Sequence, residues 1–347
     1  MALPARPLPC MALSFASALF AGSAVAADYA VLQRVALGGP GGWDCLSVDP
    51  ATHRLYITRG DRVLVVDTEA GKVIATIPSM DGAHGVALAP LLRRGFVSNG
   101  HAGSVTEFDL DSEKPVREFP VQGKNPDILL MDHMTRHLFV FNGGSHDASV
   151  LDPVTGKTLS TIALPGKPEF AVSNHRGIVF VNIEDTAQLV RIDAAKAKVT
   201  ATWKLQDCEE PTGLALDVNH HRLFSACGNQ QLSVTDARNG KHVASVAIGK
   251  GPDGVAFDAE RALIFSPNGV DGTLTVVHQD DADHYSVVAT VPTQASARTL
   301  ALDPKTHRIY TVAAEFAPAP AATAAEPHPR RSVIDGTFTL LAIGDKR

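Results

Sequence analysis

Polar side chains recur at two equivalent positions of a repeated unit in this 347-residue chain, and they are its candidates for chemistry. One position follows the Gly- and Pro-containing break that opens each unit, and the other follows its second apolar run. The residues at the first position are Asp44, His84, Asp127, Glu169, Thr212, Asp253 and Arg298. Those at the second position are Asn99, His101, Asn142, Asn182, Glu184, Cys227 and Asn268. A fold that gathers both sets would create an acidic polar surface.

Converging carboxylate and amide oxygens suit a hard divalent cation such as Ca²⁺. The candidate metal ligands of this kind are Glu169, Asn182 and Asp253. A polar lining with no ligand is the plainer alternative, because Asn and Asp also suit turns. The chain has no nucleophile elbow, no HExxH and no CxxC motif, which favours binding without catalysis.

A softer metal or redox site is a further alternative, built from His84, His101 and Cys45. Zinc or copper would require these ligands within about 2.0–2.3 Å of one point. No CxxC or HxxxH spacing supports this grouping. The hypothesis therefore depends entirely on how the fold places the three side chains.

The elements that must position these residues are the strands of an internal repeat. Its first apolar run ends, unit by unit, at Asp49, Ala89, Asp132, Ser173, Asp217, Asp258 and Asp303. Each unit contains up to four short apolar runs, with AG or NG turns typical of hairpins, and no sustained helical periodicity. Seven units of roughly 42 residues predict an all-β, seven-bladed β-propeller with four-stranded antiparallel blades.

Two features predict how the ring is connected. The last unit ends after its third run, "GTFTLLAI" (336–343), so the N-terminal run "YAVLQRVAL" (29–37) is expected to supply the missing outer strand. The segments "GKNPDILLMD" (123–132), "GKPEFAVSN" (166–174) and "GKGPDGVAFD" (249–258) are predicted crossovers between blades. Their Gly is expected to permit positive φ, and their Pro to end strand pairing. Both candidate sets would then rim the central channel on one face.

The amino-acid sequence of the repeat resembles that of the YVTN-repeat, or YncE-like, seven-bladed propellers, a WD40-like class. The segments that carry it are "RLYITRGDRVLVVDTEAGKVIATIP" (54–78) and "GVAFD…ALIFSPN…LTVV" (254–277), and the resemblance extends over about 28–345. It implies a scaffold that binds a small ligand or a protein partner. A likeness to propeller lactonases implies the alternative of metal-dependent hydrolysis.

The first 26 residues predict a secretory signal peptide, because Arg6 precedes an apolar run that ends in small residues. A periplasmic or secreted propeller over 27–347 is therefore expected, with no membrane span and with an envelope protein as a candidate partner. The net charge is −6, and losing Arg6 makes it more negative, which argues against nucleic acid as a ligand.

Three further expectations concern single segments. Cys208 and Cys227 are predicted to meet on the channel face and form a disulfide in an oxidising compartment, or else to remain buried thiols. Residues 315–335 are rich in Ala and Pro and predict a mobile insert in the last blade, either a flap or a tolerated insertion. Trp43 and Phe170 stand beside rim carboxylates, where each would stack on a ligand or pack between blades.

Overall fold

The computed structural model describes residue 1, residues 28–321, residue 329 and residues 331–346. The predicted signal peptide lies outside the described residues, apart from Met1. No helix in the described part of the chain is long and apolar enough to cross a membrane. Its one helical element is a 3-10 turn at Pro90–Leu92.

The described residues form seven four-stranded antiparallel sheets, which confirms the predicted propeller. The N-terminal strand is β1 (Tyr29–Ala36). The first three complete blades consist of β2 (Leu46–Asp49), β3 (Arg54–Thr58), β4 (Val63–Asp67), β5 (Lys72–Ile77), β6 (Ala83–Ala89), β7 (Arg94–Asn99), β8 (Ser104–Asp109), β9 (Lys114–Pro120), β10 (Pro126–Asp132), β11 (His137–Asn142), β12 (Asp147–Leu151) and β13 (Thr158–Ala163). The next three consist of β14 (Pro168–Ser173), β15 (Ile178–Ile183), β16 (Gln188–Asp193), β17 (Lys198–Lys204), β18 (Pro211–Asp217), β19 (Arg222–Cys227), β20 (Gln231–Asp236), β21 (His242–Ala247), β22 (Ala256–Asp258), β23 (Leu263–Asn268), β24 (Thr273–Gln279) and β25 (Tyr285–Pro292). The last blade contains β26 (Leu300–Asp303), β27 (Arg308–Ala313) and β28 (Thr339–Asp345).

The middle strands of each blade are buried on both faces because neighbouring blades cover them. In β3, four of the five residues are buried, and in β4 likewise four of five. The outer strand β5 is mostly exposed. This pattern explains why the second and third runs of each unit are continuously apolar, whereas the fourth alternates.

The N-terminal strand closes the ring, as predicted. β1 pairs antiparallel with β28, from Tyr29 opposite Asp345 to Ala36 opposite Thr339, and the sheet order is β1-β28-β27-β26. The strand also contacts the preceding blade, since Arg261 donates a hydrogen bond to the Tyr29 hydroxyl at 3.0 Å. The two termini of the propeller are therefore held in one sheet.

The crossover glycines serve a different purpose from the one expected. Gly123 and Gly249 do not have positive φ. A Cβ on Gly123 would lie 2.1 Å from Nδ2 of Asn142, and one on Gly249 would lie 2.6 Å from Cγ of Asn268. The glycine is required because the asparagine ending the second strand fills the space beside it. Positive φ falls instead two residues later, at Asn125 and Gly251.

The turn between the first two strands is closed by an acidic side chain in most blades. Its carboxylate accepts hydrogen bonds from backbone N–H groups two or three residues later, and the residues concerned are Asp49, Asp132, Asp217, Asp258 and Asp303. Blade four uses the Asn174 amide oxygen instead. The second blade departs from this arrangement, with Ala89 followed by the 3-10 turn.

The described ends of the insert form a short hydrogen-bonded stem. Phe316 bridges Val333, and the Ala317 N–H donates to the Ser332 carbonyl at 2.9 Å. Residues 322–328 and 330 lie outside the described part, so the predicted mobility stays a prediction. The Trp43 ring packs 5.3 Å from Phe338 and 5.8 Å from Phe316. Trp43 therefore joins the core between the last and first blades, and Phe170 likewise packs against buried clusters.

Candidate functional site

Asp44, His84 and Asp127 come together at the start of the first strands of blades one, two and three. His84 Nδ1 lies 2.6 Å from Asp44 Oδ2 and 3.7 Å from Asp127 Oδ1. One ligand atom from each residue lies within 4.8 Å of the others, a separation that a metal ion could bridge. Carboxylate oxygens with an imidazole nitrogen form a donor set suited to several divalent metals.

Hydrogen bonds between blades fix the backbone at these three residues. The Thr58 hydroxyl donates to the His84 carbonyl at 2.8 Å, and the Thr299 hydroxyl donates to the Asp44 carbonyl at 2.7 Å. The Ser98 hydroxyl donates in the same way to the carbonyl of Asp127. Each triad residue is therefore held by a hydroxyl from the neighbouring blade, which keeps the side chains converging.

Two further carboxylates, each paired with a cation, belong to the same opening. Arg298 Nε donates to Asp253 Oδ2 at 2.8 Å, and its Nη2 donates to the Trp43 carbonyl at 3.1 Å. Lys167 Nζ lies 2.7 Å from Glu169 Oε1 and also binds the carboxylate of Glu184. We call the following residues the channel mouth: Asp44, His84, Asp127, Glu169, Asp253 and Arg298.

Burial raises the pKa values of three mouth carboxyls, and nearby negative charges add to the rise. Burial raises the pKa of Asp127 to about 7, and the nearby Asp44 charge adds to the rise. Burial and the Asp127 charge raise the pKa of Glu169 to about 8, although Lys167 opposes this. Burial raises the pKa of Asp253 to about 6 against the effect of Arg298. The mouth thus has more negative charge than its own cations balance.

His84 gains its proton more easily than an ordinary histidine. The hydrogen bond to Asp44 raises the pKa of His84, burial opposes the rise, and the Asp127 charge supports it. In its protonated form this imidazolium balances part of the carboxylate charge. In its neutral form, one ring nitrogen has a lone pair that a metal ion can bind, and the tautomer decides which nitrogen this is.

The structure does not bring Glu169, Asn182 and Asp253 together as a set of metal ligands. Both ends of the buried Asn182 amide are occupied, because Nδ2 donates to the Thr212 and Gly213 carbonyls and Oδ1 accepts from the Ser225 hydroxyl. Asn182 therefore joins blade four to blade five. Glu169 and Asp253 belong to the mouth, each with its own cation.

The other asparagines lie in the blade walls. Their Nδ2 groups donate to side chains at the start of the third strand, and the residues concerned are Asn99, Asn142 and Asn268. His101 is exposed, and its Nδ1 lies 3.3 Å from Asp81. Among the described residues, His101 is not part of the group formed by Asp44, His84 and Asp127.

Cys45 lies next to the triad, but its thiol is buried. Burial raises the pKa of Cys45, and the charges of Asp44 and Asp127 raise it further, which favours the neutral thiol over the metal-binding thiolate. The soft-metal grouping of Cys45, His84 and His101 is not formed. Cys208 and Cys227 form a disulfide that spans 19 residues.

Lys167 is the charged residue of the site that sequence reasoning did not single out. The crossover into blade four, "GKPE" (166–169), is one residue shorter than "GKNPD" (123–127) and "GKGPD" (249–253). In extended backbone, residues two apart share a side, so Lys167 reaches Glu169. The shorter spacing between Lys167 and Glu169 is the feature of the sequence that indicates this ion pair.

A cleft of about 1030 Å³ opens beside the mouth. Trp43 and Arg298 line it from the mouth side, and Val270, Phe316 and Arg331 line it from the loops of the last two blades. The guanidinium carbon of Arg298 lies 5.3 Å from the centre of the Trp43 ring. The cleft combines apolar surface with two arginines, Arg298 and Arg331, and one carboxylate, Glu315.

Solved structures similar to this chain include hydrazine synthase of Kuenenia stuttgartiensis, with a TM-score of 0.68 and 15% identity over 78% of this chain and 92% of that one. A chain in the crystal structure of the mitotic checkpoint complex has a TM-score of 0.73 and 14% identity, covering 97% of this chain and 98% of its own. At such identities the likeness shows the fold alone. No protein-family model matches the chain. No curated protein matches it either.

Proposed function

We propose that this propeller is a binding protein whose channel mouth takes up a divalent metal ion, held by Asp44, His84 and Asp127. The observation that carries the proposal is the convergence of three potential ligand atoms within 4.8 Å, each from a different blade. A bound cation would also favour the charged form of the surrounding carboxyls, whose pKa values are raised by burial and by neighbouring negative charges. The resemblance of the repeat to the YVTN-repeat propellers supports a binding role.

Calorimetric titration of chelator-stripped protein with Zn²⁺, Mn²⁺ and Ca²⁺ tests this proposal. We expect one ion per chain for at least one metal. Asp127→Asn and His84→Ala should each weaken binding at least about 100-fold, since even loss of a group that only orients a metal ligand costs up to that. His101→Ala is the matched control, because this exposed histidine stands outside the triad. Absence of binding, or equal affinity in Asp127→Asn, would refute the metal site.

We also propose that the chain is exported to the periplasm or secreted. The disulfide between Cys208 and Cys227 supports this, since such bonds persist in oxidising compartments. The apolar N-terminal segment supports it independently. Fractionation of cells that produce the full chain should place the protein in the periplasm or medium, with its N-terminus near residue 27. Recovery of an uncleaved cytoplasmic chain would contradict export.

Metal-dependent hydrolysis of an ester or lactone is a second candidate, favoured by the cleft beside the mouth. A bound divalent ion would supply Lewis-acid polarisation of a carbonyl oxygen. Asp253, with a pKa of about 6, is suited to accept a proton from water near neutral pH. Arg298, which lines the cleft, would hold this carboxylate in place.

An ester and lactone screen with and without chelator tests this second candidate. Chelator-sensitive hydrolysis that Asp253→Asn abolishes would support it. Activity that persists in Asp253→Asn would exclude the assigned base, and metal binding without hydrolysis would leave a binding protein. A third candidate, an accessory of an envelope redox pathway, has weaker support because Cys45 is buried as a thiol.

A further inference from the structure

The second blade has two leucines in the turn between its first and second strands, where most other blades have a turn closed by an acidic side chain. Its first strand ends at Ala89 and is followed by "PLLRR" (90–94), whereas the turn of blade three reads "DHMTRH" (132–137) and that of blade seven "DPKTHR" (303–308). The 3-10 turn has no side-chain cap, and none of its residues is buried. Blade two therefore has two leucines in a turn that other blades build from residues that favour turns.

These leucines lie on the face opposite the channel mouth, and Leu91 is much more exposed than Leu92. Leu91 is 94% exposed, and Met134 in the next turn is 65% exposed. Between the two turns lies a pocket of about 240 Å³ whose walls include Leu91, Leu92 and His133. A dry cavity of about 150 Å³ already holds a benzene molecule, so this pocket has room for one Leu or Phe side chain.

The exposed charged residues of the two turns are all arginines. Arg93, Arg94 and Arg136 are the charged residues of the two turns, and the one carboxylate, Asp132, is buried and hydrogen-bonded to Thr135. Arg93 and Arg94 are already paired with acidic side chains of the same blade. Arg136 is exposed and lines the pocket, so it is the cation best placed for an incoming carboxylate.

We propose that the turns of blades two and three together dock an acidic peptide segment of a partner protein. The docking surface consists of Leu91, Leu92, His133, Met134 and Arg136. One apolar side chain of that segment enters the pocket, and a neighbouring carboxylate pairs with Arg136. A second copy of this chain fits less well, because a two-fold contact would place the same basic turns against each other. Exposed apolar surface rimmed by polar groups is typical of interaction sites.

Selection from a phage-displayed library of random 12-residue peptides on the immobilised full chain tests the proposal. We expect enriched peptides to contain Leu, Phe or Met flanked by Asp or Glu. Leu91→Ser should weaken binding of a selected peptide at least about tenfold, because one buried leucine contributes that much. Arg136→Gln should weaken it about two- to fivefold, the range of an exposed ion pair.

Val154→Ser is the matched control, since Val154 is 66% exposed but belongs to a different turn and does not line the pocket. It should leave peptide affinity unchanged. Failure to enrich such peptides, or equal binding by Leu91→Ser, would overturn the proposal. A dimer in sedimentation that Leu91→Ser dissociates, or binding to anionic vesicles that it abolishes, would overturn it in favour of a second copy or a membrane.

Discussion

At the scale of single residues, the channel mouth places carboxylates where burial disfavours their charge. Asp127, Glu169 and Asp253 all have raised pKa values with burial as the largest cause. Lys167 and Arg298 balance only part of the negative charge. Such an arrangement is destabilising in an empty protein, and a bound cation would remove the penalty.

The metal-free protein should lose stability as the pH rises from 5 to 8. In this window the folded state retains protons on Asp127 and Glu169 that the unfolded chain releases, so the free energy of unfolding falls with pH. His84 acts in the same direction, because its pKa is also raised. We expect a loss of roughly 2 kcal/mol, a discounted share of the full shifts. Urea unfolding at several pH values with chelator present measures it.

Glu169→Gln should flatten this pH dependence, because it removes one of the two carboxyls that titrate in this window. The control is Glu69→Gln, whose side chain is 74% exposed in a surface turn. Saturating divalent cation should flatten the wild-type curve as well, since ion and protons compete. A wild-type curve already flat in chelator would show that the carboxyls titrate as in the unfolded chain.

Sequence reasoning brought six residues to the mouth because each occupies the same place in its repeat. The period identifies the crossover of each blade, and crossovers meet around the axis whatever the details. The repeat period does not predict that the side chains of Asn99, Asn142 and Asn268 point away from the mouth. Their direction depends on which side of the second strand they occupy. A one-residue change of phase moves a side chain from the channel to the blade wall.

At the scale of elements, two crossovers between blades depend on a close contact between a glycine and an asparagine. Asn142 Nδ2 donates to Asp147 and Ser149 within its blade while it fills the space beside Gly123. The same contact recurs at Gly249 and Asn268. The glycine was predictable from its recurrence but its purpose was not, because steric demand from a residue 19 positions away leaves no local mark.

Gly123→Ala should destabilise the propeller by about 1–3 kcal/mol, the usual range for overpacking a filled space. Its Cβ would fall 2.1 Å from Nδ2 of the buried Asn142, so the asparagine would have to leave its hydrogen bonds. Gly42→Ala is the matched control, since no atom lies within 4 Å of the position that its Cβ would take and its φ is not positive. Equal urea midpoints for the two variants would contradict the steric explanation.

At the scale of the whole molecule, the ring is closed by pairing between distant ends of the chain. Seven blades place the first strands around one channel. Arg298 binds Asp253 of blade six and the Trp43 carbonyl of blade one, and the next residue, Asp44, binds His84 of blade two. The sequence predicted this closure because the last unit was one strand short. The mouth therefore depends on the same joint that holds the termini.

A chain that begins at Gly38 should lose cooperative unfolding and cation binding together, compared with a chain that begins at Asp28. Removing β1 exposes the edge of β28 and the buried core residue Ile343, and it breaks the contacts of Arg34 with Thr293 and of Tyr29 with Arg261. An open array would leave an unpaired sheet edge and separate blade seven from blade one.

Calorimetry should show a broadened transition at lower temperature, because the blades then unfold without a shared closure. Addition of a peptide of residues 28–37 should restore part of the transition. A sharp transition at the original temperature without that peptide would mean that packing between blades, rather than the terminal strand, maintains the ring and its channel mouth.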